Sequence, residues 1–422
     1  SNRIRGDKAE NIELAIAYFT AALTVLTREA FPEYWAGTQN NLAAAYSNRI
    51  RGDKAENIEM AIASYTAALS VLTRDAFPEY WAATQNNLGE AYRNRIRGEK
   101  ADNIELAIAY FTAALTVYTR DAFPEKWAQT HNNLASAYCD RIRGEKADNI
   151  ELAIAYFTAA LTVYTRDAFP EKWAQTHNNL ASAYCDRIRG EKAENIELAI
   201  AYLYFTAALT VYTRDAFPQD WARTQNNLGV AYSDRIRGDK AENIEMAIAY
   251  FTAALTVYTR DAFPEDWAST QNNLGIAYSN RIRGEKAENI EMAIAYFTAA
   301  LTVYTRDAFP EDWASTQNNL GIAYSNRIRG EKAENIEMAI ASFTAALTVY
   351  TRDAFPEDWA STQNNLGIAY SNRIRGEKAE NIEMAIASFT AALTVYTREA
   401  FPENWASTQN NLETAYSDRI RG

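Results

Sequence analysis

The chain of 422 residues has only two cysteines, Cys139 and Cys185, and only two histidines. Two thiols exclude a disulfide-stapled scaffold and favour a reducing compartment, so we expect a cytoplasmic protein. Because the sequence begins at Ser1 without a methionine, an extracellular location after removal of a leader peptide stays open.

The sequence also lacks long apolar runs and an excess of basic residues. Without 18 consecutive uncharged apolar residues, no membrane-spanning helix and no membrane partner are expected. The net charge of −12 argues against a nucleic-acid partner, which would need a basic surface. No Ser-His-Asp set, glycine-rich phosphate loop or paired-carboxylate pocket is visible, so we expect neither an enzyme nor a cofactor.

What the chain does contain is one sequence repeat, present nine times. Tryptophan recurs every 46 residues, except for an interval of 48 between Trp173 and Trp221. The pattern predicts a single array over 1–422, in which 1–6 are the remnant of a preceding repeat. The predicted repeats are 7–52, 53–98, 99–144, 145–190, 191–238, 239–284, 285–330, 331–376 and 377–422.

In each repeat, the segment that begins at the proline predicts a helix, called helix A. Pro310 suits the first helical position, where no backbone N–H is needed. Trp313, Leu320 and Tyr324 follow at helical spacing and form one buried stripe. Gly330 is expected to end the segment.

The segment that follows the glycine predicts helix B, with Asn335 as its N-cap and Glu337 in its first turn. Its apolar stripe comprises Ile336, Ala339, Ile340, Phe343, Ala346, Leu347 and Tyr350. No stretch alternates with period two, so the fold class is all-α.

The longer interval comes from two extra residues within 201–205. Inside a helix they would rotate one half by roughly 200° relative to the other. With Phe205 as the anchor, Ala201, Ile200 and Leu198 are expected to face inward, and Tyr202 replaces an isoleucine. A longer helix start or loop can absorb the change, and a local helical bulge is the alternative.

These helices resemble those of a known family. Residues 320–324 resemble the L-G-x-x-Y of tetratricopeptide repeats, and 339–347 resemble the A-x-x-x-F-x-x-A-L of their second helix. Residues 316–320 resemble the T-x-N-N-L of kinesin light chain repeats, which also exceed 34 residues. Similar long arrays precede caspase-like (CHAT) or signalling ATPase domains in bacterial proteins. The resemblance implies a right-handed superhelical α-solenoid whose inner groove, lined by A helices, binds peptides.

Three positions of helix A vary among the repeats, as at Ser315, Ile322 and Ser325. They share the side opposite the tryptophan stripe, where the groove of such a solenoid would lie. We predict a groove that is polar in the first half and more apolar in the second. Neutral variation on an exposed face is the alternative. The candidate groove residues at the middle position are Glu90, Val230, Ile276, Ile322 and Ile368.

Two consecutive asparagines beside these positions are the same in every repeat. A carboxamide both donates and accepts, so it can hold an extended peptide backbone without reading its sequence. The family resemblance assigns that role to the second asparagine, and hydrogen bonds between repeats are the alternative. The second asparagines are Asn41, Asn87, Asn133, Asn179, Asn227, Asn273, Asn319, Asn365 and Asn411.

Two further patterns favour structural interpretations. Arg-Ile-Arg-Gly occurs ten times, and we expect its arginines to lie near Glu331, Glu334 and Glu337 of the following segment rather than to bind phosphate. His131 and His177 each precede a cysteine by eight residues, but the other seven repeats have glutamine there. We therefore expect no metal site.

The sequence thus predicts a scaffold that binds a protein or peptide partner. The alternative is a structural protein that self-associates end to end or laterally into a filament, because neither terminal repeat carries a clear polar cap.

Overall fold

The computed structural model describes residues 8–202 and 204–421, without the side chains of 201, 202 and 421. The chain divides into two compact units, Ser1–Tyr212 (unit 1) and Thr213–Gly422 (unit 2). The helices are α1 Lys8–Leu23, α2 Pro32–Ser47, α3 Lys54–Leu69, α4 Pro78–Arg93, α5 Lys100–Leu115, α6 Pro124–Cys139, α7 Lys146–Leu161, α8 Pro170–Cys185, α9 Lys192–Glu197, α10 Phe205–Leu209, α11 Pro218–Ser233, α12 Lys240–Ala254, α13 Pro264–Ser279, α14 Lys286–Ala300, α15 Pro310–Ser325, α16 Lys332–Ala346, α17 Pro356–Ser371, α18 Lys378–Ala392 and α19 Pro402–Arg421. Helices that begin at proline are A helices and the others are B helices; within each unit they stack as a solenoid, each against its chain neighbours.

The predicted start of helix A is confirmed and its predicted end is wrong. Pro310 is the first residue of α15, and Glu311 and Asp312 lie in its first turn, where acids suit the helix dipole. The helix ends at Ser325. Gly330 lies in the linker beyond, with φ +81°. It supplies a left-handed turn into helix B rather than the end of helix A.

Asn335 is not the N-cap of helix B, because α16 begins earlier, at Lys332, with Glu331 as N-cap. The Asn335 side chain is buried. Its Nδ2 donates to the carbonyl oxygen of Arg329 at 2.9 Å, and its Oδ1 accepts from Arg327 Nη1 at 3.4 Å. Asn335 therefore closes the linker between helices A and B.

The arginines of the Arg-Ile-Arg-Gly motif do pair with acids, but with acids of the preceding B helix. Arg327 Nε and Nη2 each donate to a Glu291 carboxylate oxygen at 2.8 Å. Glu337, expected beside this motif, instead accepts from Arg373 at 2.8 Å. The arginine hydrogen bonds lower the pKa of both glutamates. The linker thus ties each A helix back to the B helix before it.

The core follows the predicted stripe of helix B. The buried members in α16 are Ile336, Ala339, Ile340, Phe343 and Ala346, with Tyr350 just beyond the helix and Leu347 partly buried. Leu320 of α15 is also buried, whereas Trp313 and Tyr324 are only partly so. A Cβ on Gly321 would lie 2.6 Å from Phe343 Cε1. This glycine therefore lets α15 and α16 approach closely, which buries a ring whose transfer from water is worth about 1.5–3 kcal/mol.

The two extra residues produce the local bulge. Residues Leu198–Tyr202 form a π-helical segment between α9 and α10. Ala199 and Ile200 are buried in register with the residues before the bulge, whereas Leu198 is only partly buried. Anchoring the inward face on Phe205 was therefore wrong for Leu198, and the predicted placements of the Ala201 and Tyr202 side chains lie outside the described residues.

No helix in the described part of the chain combines the length and hydropathy that a membrane crossing requires.

Candidate binding groove

One face of each A helix carries the candidate groove residues. In α15 this face holds Asp312, Ser315, Asn319 and Ile322, spaced three, four and three residues apart, which keeps them within about 80° of one another. None of the four is fully buried. Because the A helices repeat, equivalent residues of successive A helices in the same unit form a row.

In unit 1 this face borders a cavity of about 950 Å³. Three residues predicted from the sequence, Asn87, Asn133 and Glu90, are brought together in its lining. Asn86 and Asn132, the first asparagines of the same pairs, line it as well, as does Lys172 from the start of α8. A-helix residues therefore line one side of this cavity, and Asn57, Ile58 and Tyr65 of the B helix α3 line it as well.

The paired asparagines bond to each other between repeats. Asn133 Nδ2 donates to Asn86 Oδ1 at 3.3 Å. In unit 2, the same bond runs from Asn273 to Asn226, Asn319 to Asn272, Asn365 to Asn318 and Asn411 to Asn364, at 3.2–3.4 Å. The bond occupies one of two N–H donors of each second asparagine, which leaves the amide capable of a further interaction.

The remaining second asparagines occupy the same place on their helices. Asn41 of α2 is exposed, whereas Asn179 and Asn227 are partly exposed. Among the described residues, the buried Oδ1 of Asn132 has no hydrogen-bond partner. A buried acceptor without a donor costs about 1–3 kcal/mol of stability.

Glu90 belongs to a charged cluster that links two A helices. Burial raises the pKa of Glu90, and the nearby charge of Arg93 lowers it in part. Arg93 Nε in turn donates to Asp140 Oδ2 at 2.7 Å. In the first four A helices of unit 2 the position of Glu90 is apolar. Val230 and Ile368 are 37% exposed, and Ile276 and Ile322 pack against neighbouring core residues.

Sequence reasoning missed a fourth variable position, the residue before each tryptophan. Lys172 lines the cavity from this position, and Asp312 takes its place in unit 2. The signal was variation among repeats, the same criterion that identified the other three. The residues are Tyr34, Tyr80, Lys126, Lys172, Asp220, Asp266, Asp312, Asp358 and Asn404.

The two histidines lie against aromatic rings. The ring centroids of His131 and Trp127 are 4.0 Å apart, and those of His177 and Trp173 are 4.3 Å apart. Burial lowers the pKa of His177 to about 4 and raises the pKa of the Cys139 thiol to about 12. Within the described residues, no group of three His, Cys, Asp or Glu side chains is placed to hold a metal ion.

Comparison with solved structures returned other repeat proteins at low identity. The C-terminal part of a TPR repeat-containing protein from Cytophaga hutchinsonii is 13% identical, with 72% of this chain and 98% of that one covered and a TM-score of 0.37. The TPR domain of P58(IPK) is 13% identical, with 96% and 95% covered and a TM-score of 0.27. No curated protein matches the chain.

Comparison with protein families identifies the repeats themselves. A tetratricopeptide repeat model matches residues 35–75. The Sel1 repeat model matches 82–115, 128–161, 174–210, 222–255 and 268–301. Together with the paired helices and their period of 46 residues, these matches show that the chain belongs to the TPR/Sel1-like repeat proteins.

Proposed function

We propose that this chain is a scaffold that holds an extended segment of another protein along its rows of asparagines. Repeats of this family generally mediate protein interactions. The proposal gives the groove no catalytic role and no cofactor. The low cysteine content supports a reducing, cytoplasmic setting.

The unit 1 groove carries this proposal. A peptide bond offers one donor and one acceptor, and a carboxamide offers both in return. Asn86, Asn87, Asn132 and Asn133 provide four such groups in one cavity. The bond between Asn133 and Asn86 fixes the orientation of two of them, which lowers the entropy lost on binding.

The test uses a phage-displayed library of random twelve-residue peptides selected on the full chain. Two variants are compared with wild type: N87A/N133A/N179A in unit 1 and N273A/N319A/N365A in unit 2. We expect each variant to lose at least tenfold in affinity for peptides bound by its own unit, while far-ultraviolet circular dichroism stays unchanged.

A control removes three exposed acids outside the asparagine rows, in E242A/E288A/E334A. It should bind all selected peptides as wild type does. Unchanged affinity in both asparagine variants would overturn the proposal, and so would failure to select any peptide.

One observation favours a second candidate function, self-association. The isoleucine of the linker is exposed in repeat after repeat, at 58% for Ile282 and 59% for both Ile328 and Ile374. Because these isoleucines recur once per repeat, the same row on a second copy of the chain has a matching spacing. Light scattering over a concentration series, with negative-stain imaging, tests this. A constant mass near 47.4 kDa would reject self-association, and long polymers of constant width would support it.

A further inference from the structure

The residue before the tryptophan is lysine in two repeats of unit 1 and aspartate in four repeats of unit 2. In unit 1, Lys126 Nζ lies 2.5 Å from Glu79 Oε1, a residue of the preceding A helix. Lys172 Nζ lies 2.5 Å from Glu125 Oε1 in the same way. In both repeats, the lysine neutralises a carboxylate at the edge of the groove.

In unit 2 four of the five equivalent residues are aspartates. Asp312 stands where Lys126 stands, so repeat equivalence sets it against Glu265, and it sets Asp358 against Glu311. At these positions unit 2 therefore carries like charges where unit 1 carries opposite charges. We call the acids at these two positions the acidic row; its members are Glu265, Asp266, Glu311, Asp312, Glu357 and Asp358.

Asp358 and Glu311 of the acidic row interact across neighbouring repeats. Desolvation raises the pKa of Asp358, and the charges of Glu357 and Glu311 raise it further. Burial raises the pKa of Tyr304, and the charge of Asp312, from the next A helix, adds to this effect. Bringing a cation to the acidic row would relieve this repulsion.

Two other rows run beside the acidic row on the same helix face. The asparagine row comprises Asn273, Asn319 and Asn365, and the isoleucine row comprises Ile276, Ile322 and Ile368. Along α15 the order is Asp312, Asn319, Ile322, so the asparagine row lies between the other two. An extended chain points successive side chains to opposite sides. A segment held on the asparagine row would therefore turn alternate side chains toward the acids and toward the isoleucines.

We infer that unit 2 binds an extended segment in which basic and apolar side chains alternate. The inference rests on the proposed function, because the asparagine row must hold the backbone of the segment. Charge complementarity selects a basic partner over an acidic one. The half-exposed isoleucine row selects apolar side chains on the other side, where their contact removes apolar surface from water. Unit 1, with its lysines paired to acids, lacks this preference.

The test measures fluorescence anisotropy of three labelled twelve-residue peptides on the full chain at low salt. All three carry leucine at alternate positions, with lysine, glutamate or serine between. We expect wild type to bind the lysine peptide at least tenfold more tightly than the serine peptide, and the glutamate peptide most weakly. Added salt should reduce the difference, because screening weakens exposed charges.

The variant D312K/D358K places lysines against Glu265 and Glu311, as unit 1 does with Lys126 against Glu79, so we expect it to stay folded. It should lose at least tenfold in affinity for the lysine peptide and keep its affinity for the serine peptide. The control E288K/E334K makes the same change in net charge away from the groove and should lose less than threefold.

The reciprocal variant K126D/K172D should tighten binding of the lysine peptide, because it creates an acidic row in unit 1. Equal affinity of wild type for the lysine and serine peptides would overturn this inference and leave the asparagine-based proposal standing. An unchanged lysine affinity in D312K/D358K would do the same. Failure of all three peptides to bind would overturn both.

Discussion

At the residue scale, a few side chains with special backbone or protonation properties decide the local structure. Gly330 adopts φ +81°, a conformation that a Cβ makes unfavourable. His177 is held neutral by burial, which lowers its pKa to about 4. Both effects are properties of single residues and can be tested by single substitutions.

Gly330→Ala should destabilise the protein by about 1–2 kcal/mol, because alanine is strained at this φ. Gly37→Ala is the matched control, since Gly37 lies inside α2 and its Cβ would meet nothing within 4 Å. That change should stabilise by about 0.5–1 kcal/mol through helix propensity. Denaturant midpoints of both variants check the prediction, and shifts of the same sign would contradict it.

His177→Gln should make stability less dependent on pH. With a lowered pKa, folded His177 binds a proton less readily than unfolded His177 does. Stability is therefore fully present above the ordinary pKa of 6.5 and falls as the pH drops toward 4. Unfolding by denaturant at pH 7 and pH 4.5 should show a smaller loss on acidification in the variant. Equal losses in the two proteins would show that burial of His177 is not responsible.

At the element scale, the linker between helices A and B is held by side chains rather than by a regular cap. Asn335 donates a hydrogen bond to the carbonyl oxygen of Arg329 in the linker. Arg327 donates two hydrogen bonds to Glu291 of the previous B helix. An asparagine followed by a helical pattern resembles an N-cap in sequence. The structure uses the same amide to close the turn that precedes the helix.

Asn335→Ala should cost about 1–3 kcal/mol, because it leaves the Arg329 carbonyl without its donor. Glu334→Ala is the neighbouring control: its side chain is 64% exposed and lies 3.8 Å from Arg375 Nη2. An exposed pair contributes little, so this change should stay within about 0.5 kcal/mol. Thermal or denaturant unfolding distinguishes the two, and equal effects would reject the linker role of Asn335.

At the scale of the whole molecule, stability is close to a sum over repeats and their neighbour contacts. The single array over 1–422 and the boundaries of its nine repeats stay predictions. The two extra residues interrupt the repetition once, and the π-helical segment Leu198–Tyr202 accommodates them. This segment breaks the regular hydrogen-bond pattern of one B helix, so it should open more easily than its neighbours.

Deleting residues 202 and 203 makes the sequence of this B helix read like that of α7, Lys146–Leu161. We expect the amides that follow Glu197 to exchange with solvent at least tenfold more slowly, because regular helical bonding is restored. Amides of α7 serve as the internal reference and should not change. Unchanged exchange after the deletion would mean that the bulge carries no local instability.

The sequence by itself determined the all-α class, the repeat, the proline starts of the A helices and the buried face of the B helices. These follow from local periodicity, because a 3.6-residue period and fixed turn residues are written along the chain. It also placed Asn87, Asn133 and Glu90 on one face. Only the tertiary structure decided which repeat each polar side chain reaches. Arg327 pairs with Glu291 of the preceding B helix, and Asn319 bonds Asn272 of the preceding A helix. These partners lie 36 and 47 residues away, so they are selected by how the helices stack and not by spacing along one helix.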